Sequence, residues 1–165
     1  MKKKKILSLD IDSDSFYTEL LDVKQERNIA IYDLIEDNYF EIINIKYKNM
    51  IGPYRVFLSE VERKILFEIY DKKKSSKFNF YLSIISLKQV LINYEKVYKS
   101  YFEAVKNLSP NIIETIDFGR KSLHDEGGQI IKDKFSDDIK INLQTGRRFF
   151  TLIFSLHKYG VNLIE

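Results

Sequence analysis

Side chains able to do chemistry near neutral pH are few in this chain, and they fall in three places. The run Asp117-Phe118-Gly119-Arg120-Lys121-Ser122-Leu123-His124-Asp125-Glu126-Gly127-Gly128 holds one of two histidines, one of six arginines and three of six glycines. On a helix, Asp117, Arg120, Lys121 and His124 stand at i, i+3, i+4 and i+7 and share one face. The second place is Arg147-Arg148, followed through mostly apolar residues by His157. The third is Glu26-Arg27, where Arg27 sits on an apolar stripe.

These residue types support three kinds of chemistry. Guanidinium groups present a planar fork suited to carboxylates, so the arginines can tie helices together. The same forks at Arg120, Arg147, Arg148 and Arg27 can instead hold an anionic ligand or an acidic partner surface. Histidine is the acid, base or metal ligand of neutral pH, which makes His124, Glu126 and His157, with Asp125 beside them, the candidates if the protein is an enzyme. His-Asp-Glu-Gly is not the His-Glu-x-x-His zinc pattern, and the two histidines lie far apart, so no metal site and no cofactor are expected. No residue is assigned a catalytic role.

Elements must position these groups. Ile6, Leu7, Leu9 and Ile11 predict a first strand, then a polar turn through Asp12–Ser15. Residues 24–37 show a helical stripe of Ala30, Ile31, Leu34 and Ile35, with Asn38 as its stop. Phe40–Ile45 reads as a strand. Tyr54–Ser59, Ile65–Tyr70 and Phe78–Ile85 alternate with period two between polar loops, the signature of an antiparallel meander. The period then changes to 3.6. Ser86 to Gln89 matches a capping box, and Leu87, Val90, Leu91, Tyr94, Tyr98 and Val105 form the stripe of a long helix expected to lie on the sheet. Ser109-Pro110 starts another helix, expected to end at Gly127-Gly128 and resume through Phe135. Ser136–Ile141 reads as a loop or edge strand. A last helix from Asn142, apolar on nearly all sides, belongs in the core. The expectation is a single α+β domain, a meander packed against a helical C-terminal half.

Composition bounds the rest. A chain of 165 residues, 44% hydrophobic, is sized for one core and is too apolar for disorder. It has no cysteine, which excludes disulfides, thiolate metal sites and thiol catalysis. Its net charge of +3 rests on Lys2–Lys5; without those four, 23 bases face 24 acids. Residues 1–5 are therefore read as a flexible basic tail on a nearly neutral body, which makes nucleic acid an unfavoured partner. No apolar stretch is long enough for a membrane span or a signal peptide, so a cytoplasmic location is expected. With 23 Ile and 21 Lys against 2 Ala, the chain carries the mark of an AT-rich genome. Its six arginines stand out against that drift.

Those arginines also carry a resemblance. Glu26-Arg27, Asp33-Leu34-Ile35-Glu36, Gly52-Pro53-Tyr54, Gly119-Arg120, His124, Glu126-Gly127, Arg147-Arg148, Phe150-Thr151-Leu152 and Leu156-His157 together resemble uncharacterised protein family 0262 of alphaproteobacteria. The resemblance runs from about Glu26 to His157. The chain departs from the family pattern at Lys121 (arginine), Asp125 (asparagine), Asn142 and Gln144 (both aspartate) and Gly146 (alanine). The resemblance implies a bacterial cytoplasmic protein and no mechanism. Two functions are weighed. The first is a binding or adaptor protein with a macromolecular partner, expected to be protein. The second is a small enzyme or anion- or metal-binding protein centred on His124, Glu126, Arg120, Arg147, Arg148 and His157.

Overall fold

The period-two segments fold as strands whose inward residues are all apolar. In a computed structural model, which describes residues 3–107 and 109–159, β3 (Tyr54–Val61), β4 (Lys64–Tyr70) and β5 (Lys77–Ser83) form an antiparallel meander. Tyr54, Val56, Leu58, Ile65, Phe67, Ile69, Phe78, Phe80 and Leu82 point to one face and are buried. Val61 pairs with Lys64, so Glu62 and Arg63 make a two-residue hairpin with both φ angles positive.

β1 (Ile6–Ile11) joins the meander beside β3, in parallel. The sheet is thus mixed. The crossover from β1 to β3 includes α1 (Leu21–Glu36), as a parallel pair requires a long connection. Asn38 stops α1 as expected: its amide donates to the Leu34 carbonyl at 2.9 Å. It also brackets β1, accepting from the Ile6 amide at 2.7 Å and donating to the Ile6 carbonyl at 3.2 Å. The segment read as a strand from Phe40 leaves the main sheet. Its β2 (Phe40–Ile42) pairs only with β6 (Ile139–Ile141) in a small antiparallel ribbon.

The helix covering the sheet is not the one expected. α3 (Pro110–Phe135) and α4 (Leu143–Tyr159) bring Phe135 and Phe149 onto the apolar face, with ring centroids 5.3 and 5.7 Å from Phe67. Phe80 lies 4.8 Å from Phe135. α2 (Lys88–Asn107) packs instead on α3 and α4, setting Tyr94 against Phe150 and Phe154 at 5.3 and 4.7 Å. Its stripe is core at Leu87, Val90, Leu91 and Tyr94, in a helical layer, but Tyr98 is only part-buried and Val105 is exposed. The capping box does not form either. Ser86 Oγ donates back to the Ser83 carbonyl, closing a 3-10 turn before α2, and Gln89 bonds Asn93.

α3 runs unbroken through Gly127-Gly128. α4 is capped by Asn142, whose Oδ1 accepts from the Thr145 amide at 2.9 Å, and buries Phe149, Phe150, Leu152, Ile153, Phe154 and Leu156. The basic run contributes backbone to the fold from Lys4 on. The Lys4 carbonyl accepts from Phe40 and the Lys5 carbonyl from Tyr54, while Lys4 pairs with Glu41 at 3.6 Å. Among the described residues, no helix is long and apolar enough to cross a membrane.

Candidate functional site

The crossing of α3 and α4 places the His124 region. A side chain at Gly127 would overlap the Phe150 ring, and a Cβ at Gly128 would stand 2.8 Å from the Arg147 amide nitrogen. The glycines therefore let the two helices touch backbone to backbone. One turn before Gly128, His124 reaches across to α4. Its Nε2 lies 2.9 Å from the Arg147 carbonyl and 2.7 Å from Thr151 Oγ1. A carbonyl can only accept, so the proton sits on Nε2. Rings of Phe150 and Tyr94 flank the imidazole at 5.9 and 6.1 Å. Burial lowers the His124 pKa below 6.5, against the pull of the Arg147 carbonyl, and the Arg120 charge adds to the lowering. His124 is a neutral, one-tautomer bridge between helices.

Three arginines are matched by carboxylates. Arg120 Nε and Nη2 donate to Asp117 Oδ1 at 3.0 and 2.8 Å, and its guanidinium lies over the Tyr101 ring at 5.4 Å. Lys121 holds the other Asp117 oxygen at 3.2 Å. Hydrogen bonds from Arg120 and Lys121 keep the Asp117 carboxyl below its usual pKa. Arg147 Nε donates to Asp125 Oδ1 at 2.5 Å, and its Nη1 to Gln144 Oε1 at 3.2 Å. Arg148 Nη1 donates to the Asp33 carbonyl at 2.9 Å and to the Asp37 carbonyl, with the Asp37 carboxylate 3.9 Å away. It thereby serves the C-terminal carbonyls of α1, where the helix dipole favours a cation.

The remaining candidates stand apart. Glu126 is exposed on α3 and makes no hydrogen bond with His124. His157 is half-buried with Nδ1 unpartnered, and burial lowers its pKa against the attraction of Glu95. No contact joins it to His124 among the described residues. Arg27 is buried at 3% exposure and donates to the Phe16 and Leu156 carbonyls, so it pins α1 to the β1–α1 connection and to α4. No cluster of three or more acidic or imidazole ligands occurs among the described residues.

Of the six residues on which the enzyme or anion-site reading centred, two line a common depression. His124 and Arg148 border a recess of about 350 Å³ with Ala30, Asp33, Gln144 and Thr151. A second recess of about 190 Å³ shares Ala30, Asp33 and Thr151 with the first. It adds Glu26 and Ile29 from α1, Tyr94 and Tyr98 from α2, and Phe154 and Ser155 from α4. Together they form one groove walled by α1 and α2 and floored by α4. Tyr98 Oη lies 3.5 Å from Glu26 Oε1 across it. Burial and the Glu26 charge raise the Tyr98 pKa to about 12, so this phenol keeps its proton and donates to the carboxylate. Sequence reasoning missed Asp33, Thr151 and Tyr98 as groove residues. Thr151 alone left a signal, a hydroxyl inside the most apolar helix.

Residues 3–159 match the profile of the uncharacterised protein family UPF0262. A UPF0262 protein of Rhodospirillum rubrum is 36% identical over 155 residues, covering 94% of this chain and 93% of that one. One from Ruegeria pomeroyi is 35% identical over 161 residues, covering 97% of this chain and all of its own length (100%). One from Caulobacter vibrioides is 37% identical over 156 residues, 94% of each chain. No solved structure matches. Family, span and coverage agree along nearly the whole sequence, and the chain belongs to the uncharacterised protein family UPF0262.

Proposed function

We propose that the protein is a binding or adaptor protein whose α1–α2 groove takes an amphipathic helical segment of a partner protein. The observation that carries this reading is the chemistry of the groove. Its apolar surface is built from Ala30, Tyr94 and Phe154, all buried, while its α1 wall carries the carboxylates Asp33 and Glu26, the latter accepting from Tyr98. An apolar helix face with Lys or Arg at its edges is complementary to that surface. The two recesses of the groove, about 350 and 190 Å³, each suit one or two anchoring side chains.

The outward face of α1 extends the apolar surface. Leu21, Ile29 and Tyr32 are 80%, 54% and 66% exposed along one side of a helix that already buries Val23, Ala30 and Leu34 on the other. Phe102 and Val105 on α2 are likewise exposed. Exposed apolar patches of this kind mark interaction surfaces. The polar groups nearby are committed to the fold: Arg148 to α1 carbonyls, and the His124 proton to α4. They hold the walls in place.

The test is a photo-crosslinking residue at position 29 in cells, with position 81 on the outer sheet face as control. The expected product is a discrete protein adduct at 29 and none at 81, linked through a peptide with basic flanks. Ile29→Glu should weaken binding of that peptide at least tenfold. Equal crosslinking at both positions, or an acidic linked peptide, refutes the reading.

A further inference from the structure

Among the arginines singled out by the sequence, Arg27 alone has no carboxylate within ion-pair distance among the described residues, and it is the most deeply buried. A buried charge is ordinarily matched by an opposite one, because leaving water is costly for an unpaired ion. Here two carbonyl dipoles do part of that work: Nη1 donates to Phe16 at 2.5 Å and Nη2 to Leu156 at 3.5 Å. Nε is buried with no acceptor. Burial alone lowers the Arg27 pKa, with no acidic neighbour opposing it.

This under-compensated cation borders a cleft of about 460 Å³ between the β1–α1 connection and α1. The volume falls in the roughly 300–1,000 Å³ range of metabolite pockets. Its walls combine the apolar surfaces of Phe16 and Tyr17 with the Thr18 hydroxyl, the Asn28 amide and the Lys24 ammonium. Thr18 Oγ1 accepts from the Leu20 amide at 3.2 Å, which leaves its own hydrogen to give. Asp14, exposed in the same lining, is its one acid, so the apolar part of a ligand belongs on that side.

We propose that this cleft binds an organic anion, a carboxylate or phosphate head on an apolar body, with Arg27 as the buried countercharge and Lys24 at the mouth. The site is separate from the α1–α2 groove, and neither depends on the other being right.

Isothermal titration and amide chemical-shift mapping on the full chain test this with four probes: benzoate, phenyl phosphate, inorganic phosphate and benzyl alcohol. Saturable binding of benzoate or phenyl phosphate is expected, with shifts confined to residues 11–28. Inorganic phosphate lacks the body and benzyl alcohol the charge, so both should bind at least tenfold more weakly. Whichever of the first two binds more tightly names the head group. Lys24→Glu should weaken binding at least tenfold with an unchanged melting temperature, and Arg27→Met should abolish it. If Arg27→Met does not fold, Lys24→Glu and Asn28→Asp decide. No saturable binding of either aryl anion, or affinity indifferent to Lys24→Glu, overturns the proposal and leaves Arg27 a clamp between carbonyls.

Discussion

Replacing glycine by alanine at two positions of α3 should change stability in opposite directions. Alanine is favoured over glycine inside a helix by about 0.5–1 kcal/mol, mainly because glycine has more backbone freedom to lose on folding. At Gly119 nothing lies within 4 Å of the added Cβ, so Gly119→Ala should realise that gain. At Gly128 the same methyl would meet the Arg147 amide nitrogen at 2.8 Å, its Cγ at 3.0 Å and its Cα at 3.1 Å. Two of those atoms are backbone, and α4 cannot yield locally because His124, Thr151 and Phe150 bind it to α3 and α2 at the same level. Overpacking costs about 1–3 kcal/mol, and contacts this short to backbone place Gly128 at about 2–3 kcal/mol, which less about 1 kcal/mol of helix gain leaves a net loss of about 1–2 kcal/mol. For a chain of this size each kcal/mol moves the melting temperature by about 2–4 °C. Thermal unfolding followed by circular dichroism should therefore show Gly119→Ala up by about 1–4 °C and Gly128→Ala down by about 2–8 °C. Shifts of the same sign in both variants would refute the reading of Gly127-Gly128 as a helix contact.

The core and the titrating groups give three further tests. Phe135→Ala removes a ring packed against Phe40, Phe67, Phe80 and Phe149 and should cost about 3–5 kcal/mol by chemical denaturation, more than any surface substitution. Asp125→Asn breaks a partly exposed pair with Arg147 and should change stability by no more than about 1 kcal/mol. His124 and His157 both have folded-state pKa values depressed below 6.5 by burial, so the unfolded chain binds protons more readily. Their contribution is complete above pH 6.5 and is lost as pH falls below it through the folded values. Melting temperature should thus drop between pH 7.5 and 5.5, with a shallower drop in His124→Asn and His157→Asn. The lowered carboxyls of Asp12, Asp71 and Asp117 titrate below 3.8 and do not contribute in that window. A flat profile in the parent protein contradicts the assignment.

Where the sequence was informative, the deciding physics was local. Period-two alternation in β3, β4 and β5 reports one buried face, and that face is buried whatever covers it. The stop at Asn38 and the start at Asn142 depend on side chains bonding backbone a few residues away. Partner choice between elements was not legible for the converse reason. Nothing in Ile6–Ile11 states that it pairs in parallel with β3, since parallel and antiparallel edges bury the same residues. The α2 stripe and the α4 surface are both apolar enough to cover a sheet. What assigns the sheet to α3 and α4 is a set of rings, Phe67, Phe80, Phe135 and Phe149, whose fit is a three-dimensional property. Gly127-Gly128 reads as a helix break from propensity, and survives in α3 because Phe150 and Arg147 occupy the space a side chain would need.

The site was half legible for a related reason. Composition picks out arginine, but a guanidinium's role is decided by what faces it. Arg120 finds Asp117 one turn away, a partner visible in the sequence. Arg147 finds Asp125 on another helix, and Arg148 finds the carbonyls of α1, more than a hundred residues earlier. Each pairing converts a candidate anion contact into a tie between helices, because a cation already neutralised gives little further attraction to a ligand. Arg27 is the residue this sorting leaves over. Its partners, Phe16 and Leu156, are carbonyls that accept a hydrogen bond without cancelling the charge. A cation held by two carbonyls, with its Nε unpartnered and its charge uncancelled, is suited to holding an anion that arrives later, provided the cleft admits one. That is why the charge of Lys24 at the cleft mouth, rather than the deeper Arg27, is the decisive substitution: it changes what a ligand meets and leaves the tie between α1 and α4 intact.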